Sequence, residues 1–518
     1  MNTTGAPIEL ELKLAVRPQD ADRLAAHPLI ARHAGGAAQT QLMLAHYLDT
    51  PERALAAAGM ALRLRREGRQ WRQTLKTSGG EALALRARGE WEHALPAARL
   101  DWAALRRTPL AALPAYAGRA GWKALAADLK PVFTTRFQRR NWALALPGGT
   151  QAVLSLDQGH IACGRGARRR TVPICELELE CQAGDPARLW KFAAELAKEW
   201  PLIPLAASKA ERGHELAAQA RPAPHKGKPP KLARTGGVPQ ALAAALGAPL
   251  AALQHNLRHL DAADPEFVHQ ARVALRRLRS VLRAFGPLPG LKGLGRPITG
   301  LDAPLRALGQ VLGAARDADV FELQTLPAWR EALPAALAGE LDRLAPQAAQ
   351  VRRETQAAAA ALAASAAYGQ TLLRAERLVF DAAAAPHGGG ALEPLARRLL
   401  GASHERVWRA ARGLTRLTAA QRHRLRIDVK RLRYGLDLWS SLWPEAATRP
   451  YRQALAGLQD ELGALNDAAV AGQTLAALGA SAALRKACAA RERSLLAQRL
   501  PLAAQTLAAL DLCAAPWR

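Results

Sequence analysis

Ile8-Glu-Leu-Glu-Leu-Lys-Leu14 is the stretch on which the reading of the first half of this chain turns. Successive side chains of a strand point to opposite faces. Glu9, Glu11 and Lys13 therefore share one face, and Leu10, Leu12 and Leu14 share the other. Taken alone, the segment reads either as a half-buried strand with a wet charged face or as one wall of a site. The same device recurs along the chain. Glu176, Glu178 and Glu180 share a face, with Leu177 and Leu179 behind them. Arg63 and Arg65 share one, as do Arg72, Thr74 and Lys76, and then Arg86, Arg88, Glu90 and Glu92. Asp157 ends another run just before Gly159. Charge of both signs on one surface of one sheet is costly to bury unless paired or ligated. If the sheet closes into a barrel, an eight-stranded one has room inside for about one small ligand. A hard divalent cation on the carboxylates and a phosphate chain on the Lys and Arg side chains would satisfy both sets.

The alternating runs fall at 8–14, 60–66, 70–76, 83–92, 132–146, 152–157 and 174–181, with glycines between several of them. Helical patterns interrupt them near 18–33, 101–127 and 186–199. The basic segment 221–237, rich in Pro and Gly and free of acidic residues, reads as a linker. Beyond it the chain is rich in Ala, Leu and Arg with helical periodicity and no convincing strand. The expected organisation is a strand-rich domain over 1–217, a linker over 218–237 and a helical domain over 238–518. The net charge of +28 attracts polyanions, with solubility charge as the plainer reading. Five cysteines without a CxxC pair suit free thiols. The sequence shows no signal-peptide pattern at Met1–Glu9 and no apolar run long enough to span a membrane. The cytoplasm is the expected location.

The helical half repeats itself. His269-Gln-Ala-Arg-Val-Ala-Leu-Arg-Arg-Leu-Arg279 corresponds to His423-Arg-Leu-Arg-Ile-Asp-Val-Lys-Arg-Leu-Arg433. Leu312-Gly-Ala-Ala-Arg-Asp-Ala-Asp-Val320 corresponds to Leu462-Gly-Ala-Leu-Asn-Asp-Ala-Ala-Val470. On a helix, His269, Arg272, Arg276 and Arg279 form one stripe, and His423, Arg426, Lys430 and Arg433 form its counterpart. Ala271, Leu275, Leu278, Leu282 and Phe285 make an apolar row beside the first. Leu425, Val429, Leu432, Leu436 and Trp439 do so beside the second. Two related bundles facing each other would bring the basic rows into one cationic track. Asp317, Asp319 and Asp467 read as holders of the arginines. The histidines lack the carboxylate spacing of a metal site, which leaves phosphate contact or helix packing as their role.

The strand half resembles the CYTH superfamily, the triphosphate tunnel metalloenzymes. The resemblance is carried, in order, by Glu9-x-Glu11-x-Lys13, Tyr47-Leu-Asp-Thr50, Gly59-Met-Ala-Leu-Arg-Leu-Arg65, Thr74-Leu-Lys76, Arg88-x-Glu90, Arg139, Leu156-Asp-x-Gly159, Glu176-Leu-Glu178 and Ser208-Lys-Ala-Glu-Arg-Gly213. It implies an eight-stranded antiparallel tunnel with outer helices. Glu9, Glu11, Asp157, Glu176 and Glu178 would surround one or two divalent metals, Mg²⁺ or Mn²⁺. Lys13, Arg63, Arg65, Lys76, Arg88, Arg139 and Lys209 would hold the phosphates. Glu9, Glu11, Lys13 and Lys76 would serve catalysis, with water attacking the terminal phosphorus. Glu180 shares the face nearer the rim, and Arg212 has equal claim to a surface salt bridge. The helical half resembles the CHAD domain over about 238–510. That resemblance implies two four-helix bundles that bind inorganic polyphosphate through the two His/Arg rows, and with it association with polyphosphate granules.

The combined expectation is hydrolysis of inorganic triphosphate with polyphosphate binding. An adenylate cyclase or thiamine triphosphatase on the same tunnel, and a non-catalytic polyphosphate scaffold, are the alternatives. Nucleic acid fits poorly, because aromatic residues make up 5% and no base-reading motif is present. Gly388–Gly390 is no phosphate loop, since no strand precedes it and no Gly-Lys-Ser/Thr follows.

Overall fold

A computed structural model describes residues 8–77, 85–116, 118–219, 221–234, 237–260, 264–286, 288, 291, 293–386 and 391–518, with side chains for all but 8, 9 and 85–88. The Glu9, Arg86 and Arg88 side chains, the segment before Ile8, Gly79-Gly80 and Gly388–Gly390 lie outside the described residues. The chain forms two compact units, residues 1–223 with 364–377, and 224–363 with 378–518.

The first unit is built on one antiparallel sheet. Its strands are β1 (Ile8–Ala15), β2 (Gln39–Asp49), β3 (Met60–Glu67), β4 (Gln70–Thr77), β5 (Leu85–Leu95), β6 (Lys130–Leu146), β7 (Thr150–Cys163), β8 (Arg170–Ala183) and β9 (Ile203–Pro204). They lie in the order β5-β4-β3-β2-β6-β7-β8-β1-β9. One edge of β1 pairs with β8 over residues 11–15. Its other edge pairs with β5 over residues 8–12 and with β9 over residues 14–15. Among the described residues the sheet thus holds nine strands where eight are expected. The extra strand, two residues long, covers the part of the β1 edge that β5 does not reach, where an unpaired ladder would be exposed.

β2 escaped the sequence reading because Leu42-Met43-Leu44-Ala45 is a continuous apolar run without visible alternation. The fold alternates it regardless: Leu42 is 55% exposed and Met43 2%. The helical stretch expected at 18–33 is two helices, Ala21–Ala25 and Pro28–His33. His27, which precedes a proline, is extended at φ −65° and ψ 133° and breaks the run. The 101–127 stretch is likewise divided into Trp102–Leu105 and Gly118–Asp128, with Pro109 and Pro114 opening 3-10 turns between them.

Over residues 11–14 both faces of β1 are out of water. Leu12 and Leu14 are fully buried, each worth about 1.5–3 kcal/mol. On the other face Glu11 and Lys13 are only 6% and 8% exposed. The wet-face reading of the opening strand therefore fails at Glu11 and Lys13. Asp157, Glu176 and Glu178 are buried as well.

Among its described residues the second unit has helices and no strand. Val238–Arg258 packs on Glu266–Phe285, which packs on Asp302–Val320, which packs on Ala335–Ala363. Leu392–Ala411 packs on Ala419–Trp439, then come Glu445–Ala477 and Ala482–Leu512 in the same succession. All ten residues of the two apolar rows are buried. The repeat helices Glu266–Phe285 and Ala419–Trp439 touch each other. Phe285 and Trp439, equivalent positions of the repeat, stack with centroids 5.3 Å apart.

Candidate active site and a second, cationic cavity

Strand register assembles the charged cluster. Arg139 lies opposite Asp157, and Asp157 opposite Glu176. Lys13 lies opposite Glu178, and Glu178 opposite Ser155. Two glycines permit the close packing beneath. A Cβ at Gly159 would meet Arg136 O at 2.2 Å, and one at Gly213 would meet the Phe133 ring at 2.1 Å. Gly213 thereby lets the helix Lys209–Ala218 lie directly against β6. Ser208 caps that helix, its side chain bonding Glu211 N while Glu211 bonds back to Ser208 N. The cap fixes where Lys209 leaves the backbone.

Lys209 Nζ is 2.7 Å from Asp157 Oδ2 and 2.9 Å from Glu178 Oε1, and it contacts Glu176. Arg139 forks onto Asp157, Nε at 2.7 Å and Nη2 at 2.6 Å, and also reaches Glu178. Lys13 Nζ lies 2.7 Å from Glu178 and 3.1 Å from Glu11. Arg212 contacts Glu176; its side chain is 11% exposed, so it is no surface salt bridge. Burial by itself would raise the Glu178 pKa, but Lys13, Lys209 and Arg139 hold it well below the usual carboxylate range. Burial lowers Lys209 and the neighbouring Asp157, Glu176 and Glu178 more than reverse that, leaving it raised.

A cavity of 1160 Å³ opens beside this cluster. It is lined by Glu11, Lys13, Arg63, Arg65, Lys76, Arg139, Glu178 and Lys209, among others. Lys76 Nζ is 3.1 Å from Glu90, and Arg63 is 3.7 Å from the same carboxylate. Arg65 sits 2.8 Å from Glu92. Burial and the nearby Arg63 lower Arg65 to about 10, which leaves it charged at neutral pH. Glu180 also lines the cavity. Asp157 and Glu176 stand behind the lining, each fully buried. Among the described residues, six cations and seven carboxylates face this space. Glu9 and Arg88 are paired backbone to backbone between β1 and β5.

Asp157, Glu176 and Glu178 are the set among the described residues whose ligand oxygens lie within 4.8 Å of one another. Glu176 Oε1 is buried and accepts no hydrogen bond of good geometry, although the Lys209 ammonium faces it. Clustered carboxylate oxygens are what a hard divalent cation binds, so the donor set fits such an ion.

Three residues of this region carried no assigned role in the sequence reading. Tyr47 lies opposite Arg63 and its hydroxyl accepts from Arg63 at 3.5 Å. Its motif was visible, but the sequence does not show that it pairs with Arg63 on the next strand. His214 lines the cavity with its Nε2 3.8 Å from Asp49. Asp49 itself takes hydrogen bonds from the amides of Thr50, Leu55 and Ala56, a turn-holding role.

In the second unit both basic rows face one cavity of 850 Å³. His269, Arg272, Arg276, His423, Arg426 and Lys430 line it. Arg279 and Arg433 do not, and Arg279 pairs instead with Asp302 at 3.3 Å. Arg316 and Arg422 line it too; Arg316 stood inside a quoted motif, and Arg422 directly precedes His423. His423 Nδ1 is 2.6 Å from Asn466 Oδ1, and Arg426 is 3.4 Å from Asp467. Asp319 is buried and takes hydrogen bonds from Arg352 and Gln356. Burial, then Arg426 and Arg276, lower Lys430 to about 7. No helix among the described residues is long and apolar enough to cross a membrane.

Comparison with known proteins places these two sites in families. Residues 7–214 match the CYTH domain and residues 244–476 the CHAD domain. The inorganic triphosphatase of Haemophilus influenzae is 30% identical over 216 residues, 41% of this chain and 55% of that protein, so the chain spans about half the length of this curated relative. The CHAD domain of Ricinus communis, a solved structure, is 30% identical, with 57% of this chain and 98% of that chain covered at a TM-score of 0.49. The Hippeastrum protein HpAC1, described as having a dominant triphosphatase activity, is 18% identical, with 40% and 95% covered at a TM-score of 0.27. This chain therefore belongs to the proteins that carry a CYTH domain followed by a CHAD domain.

Proposed function

We propose that the first unit hydrolyses inorganic triphosphate with a divalent metal, and that the second unit binds polyphosphate. The observation that carries the first half is a deep cavity in which buried carboxylates and a bank of Lys and Arg side chains meet. The β1–β5 ladder supports its reading as a tunnel of eight strands, with β9 outside. The charge count supports a metal requirement. With six cations against seven carboxylates, the described lining offers a triphosphate no excess of positive charge. Bound at Asp157, Glu176 and Glu178, with Glu9 and Glu11 on the adjoining strand, a divalent ion would supply the missing positive charge and polarise the phosphoryl oxygens.

The chain's own groups do the rest. Lys13, Lys76 and Arg63 come from three different strands and can each take a separate phosphate oxygen. Arg65 and Arg139 extend the bank along the same cavity. Held by these groups, the terminal phosphoryl group is oriented for in-line attack by water, and the charge developing on the bridging oxygen meets fixed cations. Glu11 is buried beside Lys13 and helps set the position of that ammonium.

The second cavity offers six Lys and Arg side chains against four carboxylates among its described lining residues, an excess that suits a linear polyanion. The repeat supports two facing four-helix bundles as its frame. A cytoplasmic location accords with such substrates.

The test is phosphate release from pure tripolyphosphate with Mg²⁺ or Mn²⁺, beside long polyphosphate, ATP and thiamine triphosphate. Release from tripolyphosphate, reduced at least about a hundredfold in Glu11→Ala, is expected. Release confined to an organic triphosphate would overturn the substrate, and none from any triphosphate would leave a binding scaffold.

A further inference from the structure

Lys209 occupies the centre of the carboxylate set that suits a metal. Its ammonium reaches Asp157, Glu176 and Glu178, every member of that set. Among the described residues charge around it is balanced: Asp157, Glu176, Glu178 and Glu11 face Lys209, Lys13, Arg139 and Arg212. A divalent cation brought into this balanced, buried cluster would meet uncompensated repulsion in a medium that screens it poorly. One of the four cations has to give way.

The four are not equally free to move. Arg139 is held by two parallel hydrogen bonds to Asp157 and a further one to Glu178, the rigid fork that guanidinium groups favour. Lys13 projects from a strand paired on both edges. Arg212 meets the other oxygen of Glu176, Oε2. Lys209 is a compact charge on a four-carbon stem, projecting from the first turn of a capped helix. It also lines the cavity beside the cluster. Its stem can turn from the carboxylates toward that space while the helix stays in place.

We propose that Lys209 is an internal counter-ion for the metal site. It holds Asp157, Glu176 and Glu178 together before metal binds, is exchanged for the divalent cation, and then meets the phosphate chain. This rests on the metal-triphosphate reading of the cavity and adds an order of events to it. Lys209 is a positioning residue first and a substrate contact second. The exchange keeps the buried carboxylates compensated at every stage, so the ligand set neither flies apart nor protonates between turnovers.

Mn²⁺ binding to the full chain without phosphate, followed by the electron paramagnetic resonance of free Mn²⁺, tests this. Lys209→Met keeps the stem and removes the competing charge. Its Mn²⁺ affinity is expected to rise about tenfold or more, while Asp157→Asn lowers it. Thermal melts supply the second readout. Lys209→Met is expected to melt below wild type without metal and to regain more than wild type on adding Mn²⁺. A purely structural lysine would give the first loss without the gain in affinity. Unchanged or weaker Mn²⁺ binding by Lys209→Met overturns the proposal, whatever the activity of the wild type. Absence of hydrolysis by the wild type overturns instead the reading beneath it, and the Mn²⁺ titration remains interpretable. If Lys209→Met does not fold, Lys209→Arg gives the opposite sign: a guanidinium forked onto two carboxylates resists exchange and weakens Mn²⁺ binding. Equal affinity in that variant overturns the proposal.

Discussion

Glu178→Gln is expected to lower the melting temperature of the strand unit by about 6–20 °C at neutral pH. Glu178 is 6% exposed. It accepts from Lys13 at 2.7 Å and Lys209 at 2.9 Å, with Arg139 on its second oxygen. Glutamine keeps the shape but removes the charge, leaving three cations facing too few carboxylates. Breaking one side of a buried ion cluster costs about 3–5 kcal/mol. Each kcal/mol moves the midpoint by about 2–4 °C in a unit of this size, which gives the range. Calorimetry of the full chain in low salt, resolved into its two units, measures it. Tripolyphosphate without metal should recover part of the loss, because the variant's surplus cations then have an anion. The pH dependence follows from sign. The folded Glu178 pKa lies below its unfolded value, so its stabilisation is present above about pH 4.3 and is lost only as pH falls through the folded value. The variant's deficit should hold constant from pH 8 to 5 and shrink only in stronger acid. A shift below about 2 °C, or a deficit already gone at pH 6, would refute the buried cluster.

Gly213→Ala should cost about 1–3 kcal/mol, because its Cβ would fall 2.1 Å from the Phe133 ring; denaturant titration shows this, and Ala210→Gly at the same helix should not match it. Lys430, at about 7 in the free protein, is largely neutral at pH 8. A bound polyanion restores its charge, so polyphosphate binding at pH 8 should take up a proton. Calorimetry in two buffers of different ionisation enthalpy detects the uptake, and Lys430→Met should abolish it. Arg276→Ala should weaken polyphosphate binding and flatten the slope of log K against log salt by about one, whereas Arg433→Ala, outside the cavity, should leave that slope unchanged.

Strand parity was legible because a period of two is written directly into sequence. Glu11 with Lys13, Glu176 with Glu178 and Arg63 with Arg65 were grouped by that parity alone. The two apolar rows of the helical repeat were equally plain, and every residue in them is buried. β2 was not legible, since an apolar run hides its alternation. Nor were the partners of Tyr47 and Arg212, because a contact across strands or between a helix and a sheet depends on register, which local sequence does not encode.

The sequence by itself determined which side chains share a face and that the helical half is duplicated. Each of these depends on local periodicity or on self-similarity. Only the tertiary structure decided that Glu11 and Lys13 are buried, that Lys209 reaches all three carboxylates, and that Arg279 and Arg433 miss the cavity their neighbours line. Those outcomes depend on how much water and counter-charge surround each group once distant strands and helices have packed. Burial and pairing are properties of the whole fold, so no segment carries them alone.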